Sequence, residues 1–198
     1  MQFRAIFAGV PALLVLGSAA FAAPATPEGA RHLTSVLQAY LSDAPGMVQV
    51  LPVGEAYTVT VDFTPLLKRI PGDVVASLTP LEFVVADQGD GIWAASQDQS
   101  LTLSFAAPGQ LDLLGRISGL RADGLFDESL GAFSSMTVTF SNLSIQQMFR
   151  SPEVQGDVRI ASEIEQGHFT LTSSASAAGG LDRVSKYTMG GGQRGREA

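Results

Sequence analysis

From residue 57 onward the chain sorts its side chains by twos. In "AYTVTVDF", Tyr57, Val59, Val61 and Phe63 alternate with Thr58, Thr60 and Asp62. "SLTLSF" sets Leu101, Leu103 and Phe105 against Thr102 and Ser104, and "SMTVTF" sets Met136, Val138 and Phe140 against Thr137 and Thr139. Successive side chains of a strand point to opposite faces, so these runs predict antiparallel strands with one apolar and one hydroxyl-rich side. The alternation slips at Ser141-Asn142, after which Leu143 and Ile145 take the apolar phase. A bulge or tight bend there would keep one face apolar. Glycine-bearing stretches between runs, "DQGDG" (87–91) and "EQGH" (165–168), predict hairpin turns.

Ahead of the strands the period is 3.6. In "TPEGARHLTSVLQAYLSDAPG" (26–46), Leu33, Val36, Leu37, Tyr40 and Leu41 form one apolar stripe. Thr26 can cap the helix, Pro27 suits its first position, and Asp43-Ala44-Pro45-Gly46 stops it. In "TPLLKRIPGDVVASLTP" (64–80), Pro71-Gly72 breaks any long helix, which predicts a short helical turn on each side. The expected fold is mainly β with a minor helical part (α+β): an antiparallel β-meander or curved sheet with one N-terminal amphipathic helix packed on it.

The first 22 residues have a different logic. Arg4 precedes the apolar run "AIFAGVPALLVL" (5–16), and Ala20-Phe21-Ala22 is a small-residue cleavage site. This predicts an export signal cut between Ala22 and Ala23, leaving no transmembrane helix in the mature form. The expected location is the periplasm. Residues 23–180 then form a single β-rich domain. The end of the chain, 181–198, predicts a disordered tail, because "YTMGGGQRGREA" abandons the alternation and reverses the charge balance.

There is no cysteine, so an exported domain of this kind must be held by core burial alone. From Ala23 to Gly180 there are 17 Asp/Glu against 7 Lys/Arg, a net of −10. That surface repels phosphate backbones, which argues against nucleic acid as a partner.

The densest group of acids beside glycines is "GLRADGLFDESLGAF" (119–133). A calcium loop needs oxygen ligands at alternate positions, but Leu125 and Phe126 fill two of the gaps between Asp123 and Glu128. The expected reading is a turn at Asp123-Gly124 and a short helix capped by Asp127. Asp87, Asp90 and Gly91 read as a hairpin tip, with Asp98 beyond Trp93. His32 and His168 lack the spacing of a zinc site, and Glu163 and Glu165 neighbour His168 only in sequence. No G-x-S-x-G, S-x-x-K or Walker sequence occurs. "GGGQRG" (190–195) fits G-x-G-x-x-G without the strand and helix that give it meaning, and Asn142-Leu143-Ser144 fits a glycosylation sequon. The sequence therefore assigns no catalytic, cofactor-binding or metal residue and no cofactor.

A helix opening "TPE", threonine-rich strands, and "GLFDESLGAF" followed by "MTVTFSNLSIQQ" resemble an uncharacterised family of bacterial secreted proteins, over roughly residues 23–180. The resemblance implies no activity and no site residue. The expected function is a non-enzymatic, exported β-protein that binds an apolar ligand such as a lipid, or another envelope protein, on its sheet. The alternative is a metal-dependent or hydrolytic enzyme in which Asp123, Asp127, Glu128 and His168 converge only in three dimensions.

Overall fold

The computed structural model describes residues 24–150 and 156–190; the expected export signal and residues 191–198 lie outside them. Helix α1 (Pro27–Tyr40) is followed by strands β1 (Val48–Val53) and β2 (Ala56–Val61) and the single-turn helix α2 (Thr64–Leu67). Next come β3 (Val75–Leu78), β4 (Leu81–Gly89), β5 (Ile92–Ala107), β6 (Leu111–Asp127), β7 (Ala132–Phe140) and β8 (Asn142–Arg150). β9 (Asp157–Ile164), β10 (Gln166–Ala175) and β11 (Leu181–Gly190) complete the order. The strands join one open antiparallel sheet, so the fold is mainly β with one N-terminal helix and one short one.

Five long runs carry the middle of the sheet. β5 and β6 form a hairpin of 16 and 17 residues. β3 and β4 both pair with β5 and act as one strand broken at Thr79-Pro80. β7 and β8 lie along the two halves of β6 and break at Ser141. β9 and β10 lie along β8 and β7 and break at Glu165. The breaks line up with the register shift between Gln99 and Leu101 to make one crease across the sheet. Local hydrogen bonds hold it. Gln99 accepts from the Glu82 amide (2.7 Å) and donates to the Pro80 carbonyl (3.1 Å), while the Ser141 amide and hydroxyl both donate to the Ser118 carbonyl.

The crease explains the slip in alternation. β6 carries its apolar side on Leu113 and Ile117, then changes phase to Leu120, Ala122 and Phe126. Gly119, at φ +59°, makes the switch. The bend expected at Ser141-Asn142 is present and does the same for Phe140 and Leu143. The "DQGDG" hairpin also forms, with positive φ at both Asp90 and Gly91, the backbone of a type I′ turn.

Other expectations need correction. "EQGH" is no hairpin, because β9 and β10 never pair with each other. Gly167 sits inside a strand under the Phe140 ring, which would collide with any Cβ there. Its glycine makes room for an aromatic ring and supplies no turn. The helical turn expected after Pro71-Gly72 is instead β3, which the distal half of β5 recruits as a ladder partner. Asp123-Gly124 is not a turn but the interior of β6, where a Cβ on Gly124 would lie 2.9 Å from the Phe133 ring. Residues 181–190 are not a disordered tail. They form β11, paired with β10 at every position from Gln166↔Gly190 to Ala175↔Leu181. Backbone pairing on an edge needs no apolar alternation, which is why the polar run hid the strand.

Helix α1 supplies the second layer, over only one end of the sheet. Thr26 accepts from the Gly29 amide (3.0 Å), the expected cap, worth about 1 kcal/mol. Ala30 and Leu33 are buried and Leu37 packs beside them, over Val48, Val59, Val61, Val85 and Trp93. Met47, Val59 and Val61 are the most completely enclosed side chains described.

Candidate functional site

Beyond the crease no described element covers the apolar side of the sheet. Its side chains line up in rows across β5, β6, β8 and β9. One row is Ala107, Leu111, Phe149 and Val158; another is Leu101, Ile117, Leu143 and Ile164. Between them run Phe105, Leu113, Gln147, Ile160 and Leu103, Gly115, Ile145, Ser162. None of these residues falls in the buried class, and Leu103 (40 %), Phe149 (36 %), Val158 (41 %) and Ile160 (46 %) are openly solvated. Strands lie about 4.8 Å apart and same-face residues about 6.7 Å apart along them, so four rows on four strands cover roughly 300 Å². The largest apolar patch on a typical monomer is of that order and is often functional. Ala122, Val138, Phe169 and Tyr187 carry the same face toward β11. Gln97 Nε2 and Ser173 Oγ also belong to this side, buried and without a hydrogen-bond partner among the described residues.

The opposite side is hydroxyl-rich and holds the candidate acids. Asp98 and Arg121 pair there at 3.0 Å in a shallow recess of about 620 Å³ that Glu82 and Asp123 also line. His168 lines an adjoining recess that shares Arg121 with the first, together with Thr139 and Thr188. In register it lies two strands from Arg121, through Thr139. Asp127 is elsewhere, in the β6–β7 turn, where it accepts from the Ser129 amide and hydroxyl and the Leu130 amide. These bonds, led by the Ser129 side chain, hold its carboxyl below the usual carboxylate range. It caps a turn as expected, though no helix follows. Glu163 accepts from Asn142 Nδ2 at 2.7 Å. The four residues of the enzyme alternative are thus spread over the hydroxyl-rich face and the β6–β7 turn. Among the described residues no three His, Cys, Asp or Glu side chains gather as metal ligands would.

One constellation escaped the sequence reading. Glu128 Oε1 accepts from Trp93 Nε1 at 2.6 Å and from His32 Nε2 at 2.8 Å. The His32 and Trp93 rings stack at 6.2 Å, and Tyr57 meets Trp93 edge-on. Tyr40 at the helix end meets Phe126, which in turn meets Phe133. These contacts tie α1 to β5 and to the β6–β7 turn, fixing where the helix stops covering the sheet. The signal was faint because His32 and Glu128 are 96 residues apart.

No described helix is long and apolar enough to cross a membrane. Compared with known proteins, the chain matches no family model, no curated protein and no solved structure.

Proposed function

We propose that the protein is an exported, non-enzymatic binder that takes an apolar ligand, an extended hydrocarbon chain such as that of a lipid, on the open side of its sheet. One observation carries this reading: rows of aliphatic and aromatic side chains cross four strands with no described element over them. A surface of this kind gives up bound water at about 25 cal/mol per Å² of apolar area covered. Periplasmic location, cleavage before Ala23 and kinship with exported bacterial proteins of no assigned activity belong to the same proposal, supported by the residue pattern at the N-terminus.

Native mass spectrometry of protein recovered from its own periplasm tests the ligand, and N-terminal sequencing of the same sample tests export. The expected results are adducts of lipid mass, displacement of a fluorescent fatty acid, and a chain beginning at Ala23. A clean apo mass without fatty-acid binding overturns the ligand reading. An intact Met1 in the cytoplasmic fraction overturns the export reading.

A further inference from the structure

We propose that β11 is a self-association edge, pairing antiparallel with β11 of a second copy about a two-fold axis through Val184. Every residue of β11 is exposed, and among the described residues it pairs only with β10. Edge strands are commonly blunted by lysine, proline or shortness, and Lys186 alone would count as such a guard. The register changes its meaning. With Val184 on the axis, Lys186 of each copy stands opposite Asp182 of the other, giving two opposed charge pairs on one face. Val184 (59 % exposed) meets itself between the charge pairs, and Leu181 (40 %) meets Tyr187 (73 %) twice on the other face. Arg183 stands opposite Ser185 between them, so the seam is mixed while the apolar faces of the two copies lie on the same side of the joined sheet.

The other open edges fit a second copy less well. β1 contains Pro52, which has no N–H to donate, and β3 has four residues. β9 could oppose Arg159 and Glu163 about Ala161, but that register sets Asp157 against Glu165.

Analytical ultracentrifugation of the processed chain should show a concentration-dependent dimer. Lys186→Glu and Asp182→Lys, each placing like charges opposite one another, should weaken it at least about tenfold, and the combined D182K/K186D exchange should restore it. Circular dichroism and Trp93 fluorescence should stay unchanged, since both sites are exposed. The chain lacks cysteine, so single substitutions map the register. Val184→Cys should oxidise to a cross-linked dimer, whereas Asp182→Cys should not, its two copies lying about 13 Å apart along the strands. A monomer at about 100 μM, far above the Kd of a micromolar complex, overturns the proposal. So does a dimer indifferent to both charge reversals, or one that cross-links through Ala161→Cys and not through Val184→Cys.

Discussion

An apolar face that is open and one that is packed under another element respond differently to the same truncation. Ile160→Ala and Val59→Ala make the comparison. Fully burying an aliphatic side chain contributes about 1.5–3 kcal/mol. Ile160 leaves 46 % of its surface in water, so truncating it to Ala should cost about 0.5–1 kcal/mol. Val59 is 0 % exposed beneath α1. Removing its two methyl carbons forfeits about 1.6 kcal/mol of transfer energy, and the cavity left behind raises that to about 2–3 kcal/mol. Trp93 is the sole tryptophan and is only 5 % exposed in the core under the helix, so urea unfolding can be followed by its emission. With a slope near 2 kcal/mol per M, the midpoint should fall by about 1 M for Val59→Ala and by about 0.4 M for Ile160→Ala. Ile160→Asp should unfold close to the Ile160→Ala midpoint while losing fatty-acid binding. Equal losses for Ile160→Ala and Val59→Ala would mean that the distal face is covered in solution, and the ligand reading would fall with it.

Three further outcomes test particular contacts. Glu128→Ala strands the Trp93 N–H and should cost about 1–3 kcal/mol with altered Trp93 emission, while Glu128→Gln, which keeps an acceptor, should cost less. Gly167→Ala drives a methyl group into the Phe140 ring and should destabilise by more than about 1 kcal/mol. In a Phe140→Leu background the same change should cost much less, and equal costs in both would refute the steric account. The Asp62 carboxyl is held below its ordinary value by the Thr64 side chain and then the Thr64 amide. A depressed folded pKa stabilises above the ordinary carboxylate range and is lost as pH falls through the folded value. Wild type should therefore lead Asp62→Asn at neutral pH and lose that lead in acid; a lead that persists in strong acid would contradict the assignment.

The legible parts of the fold were those in which pattern and burial coincide. Thr26, Leu33 and Leu37 announce α1, and Tyr57, Val59 and Val61 announce β2, because each side chain there meets the environment its position predicts. What escaped notice depends on partners far away in the chain. Glu165-Gln166-Gly167 reads as a turn until Phe140 is known to lie across Gly167. Residues 181–190 read as a tail because both faces of β11 are solvated, and only the unpaired side of β10 makes them a strand. His32 and Glu128 carry no local sign of each other. Their meeting follows from α1 crossing the start of β5, a tertiary event that local spacing does not encode.

The crease keeps the apolar side continuous from one end of the sheet to the other. A strand running straight through a one-residue break would send its apolar positions to the hydroxyl-rich side, since a slip of one residue inverts the alternation. Four of the five long runs change phase as they cross: at Thr79-Pro80, Ser118-Gly119, Ser141-Asn142 and Glu165-Gln166. β5 does not, and its odd-numbered residues stay on one side from Trp93 to Ala107. Each switch therefore follows β5 and delivers aliphatic side chains to the side that α1 covers at one end only. A single-layer sheet needs no such agreement to hydrogen-bond. The agreement gives one continuous apolar side across the five runs, the surface that the proposed ligand would cover.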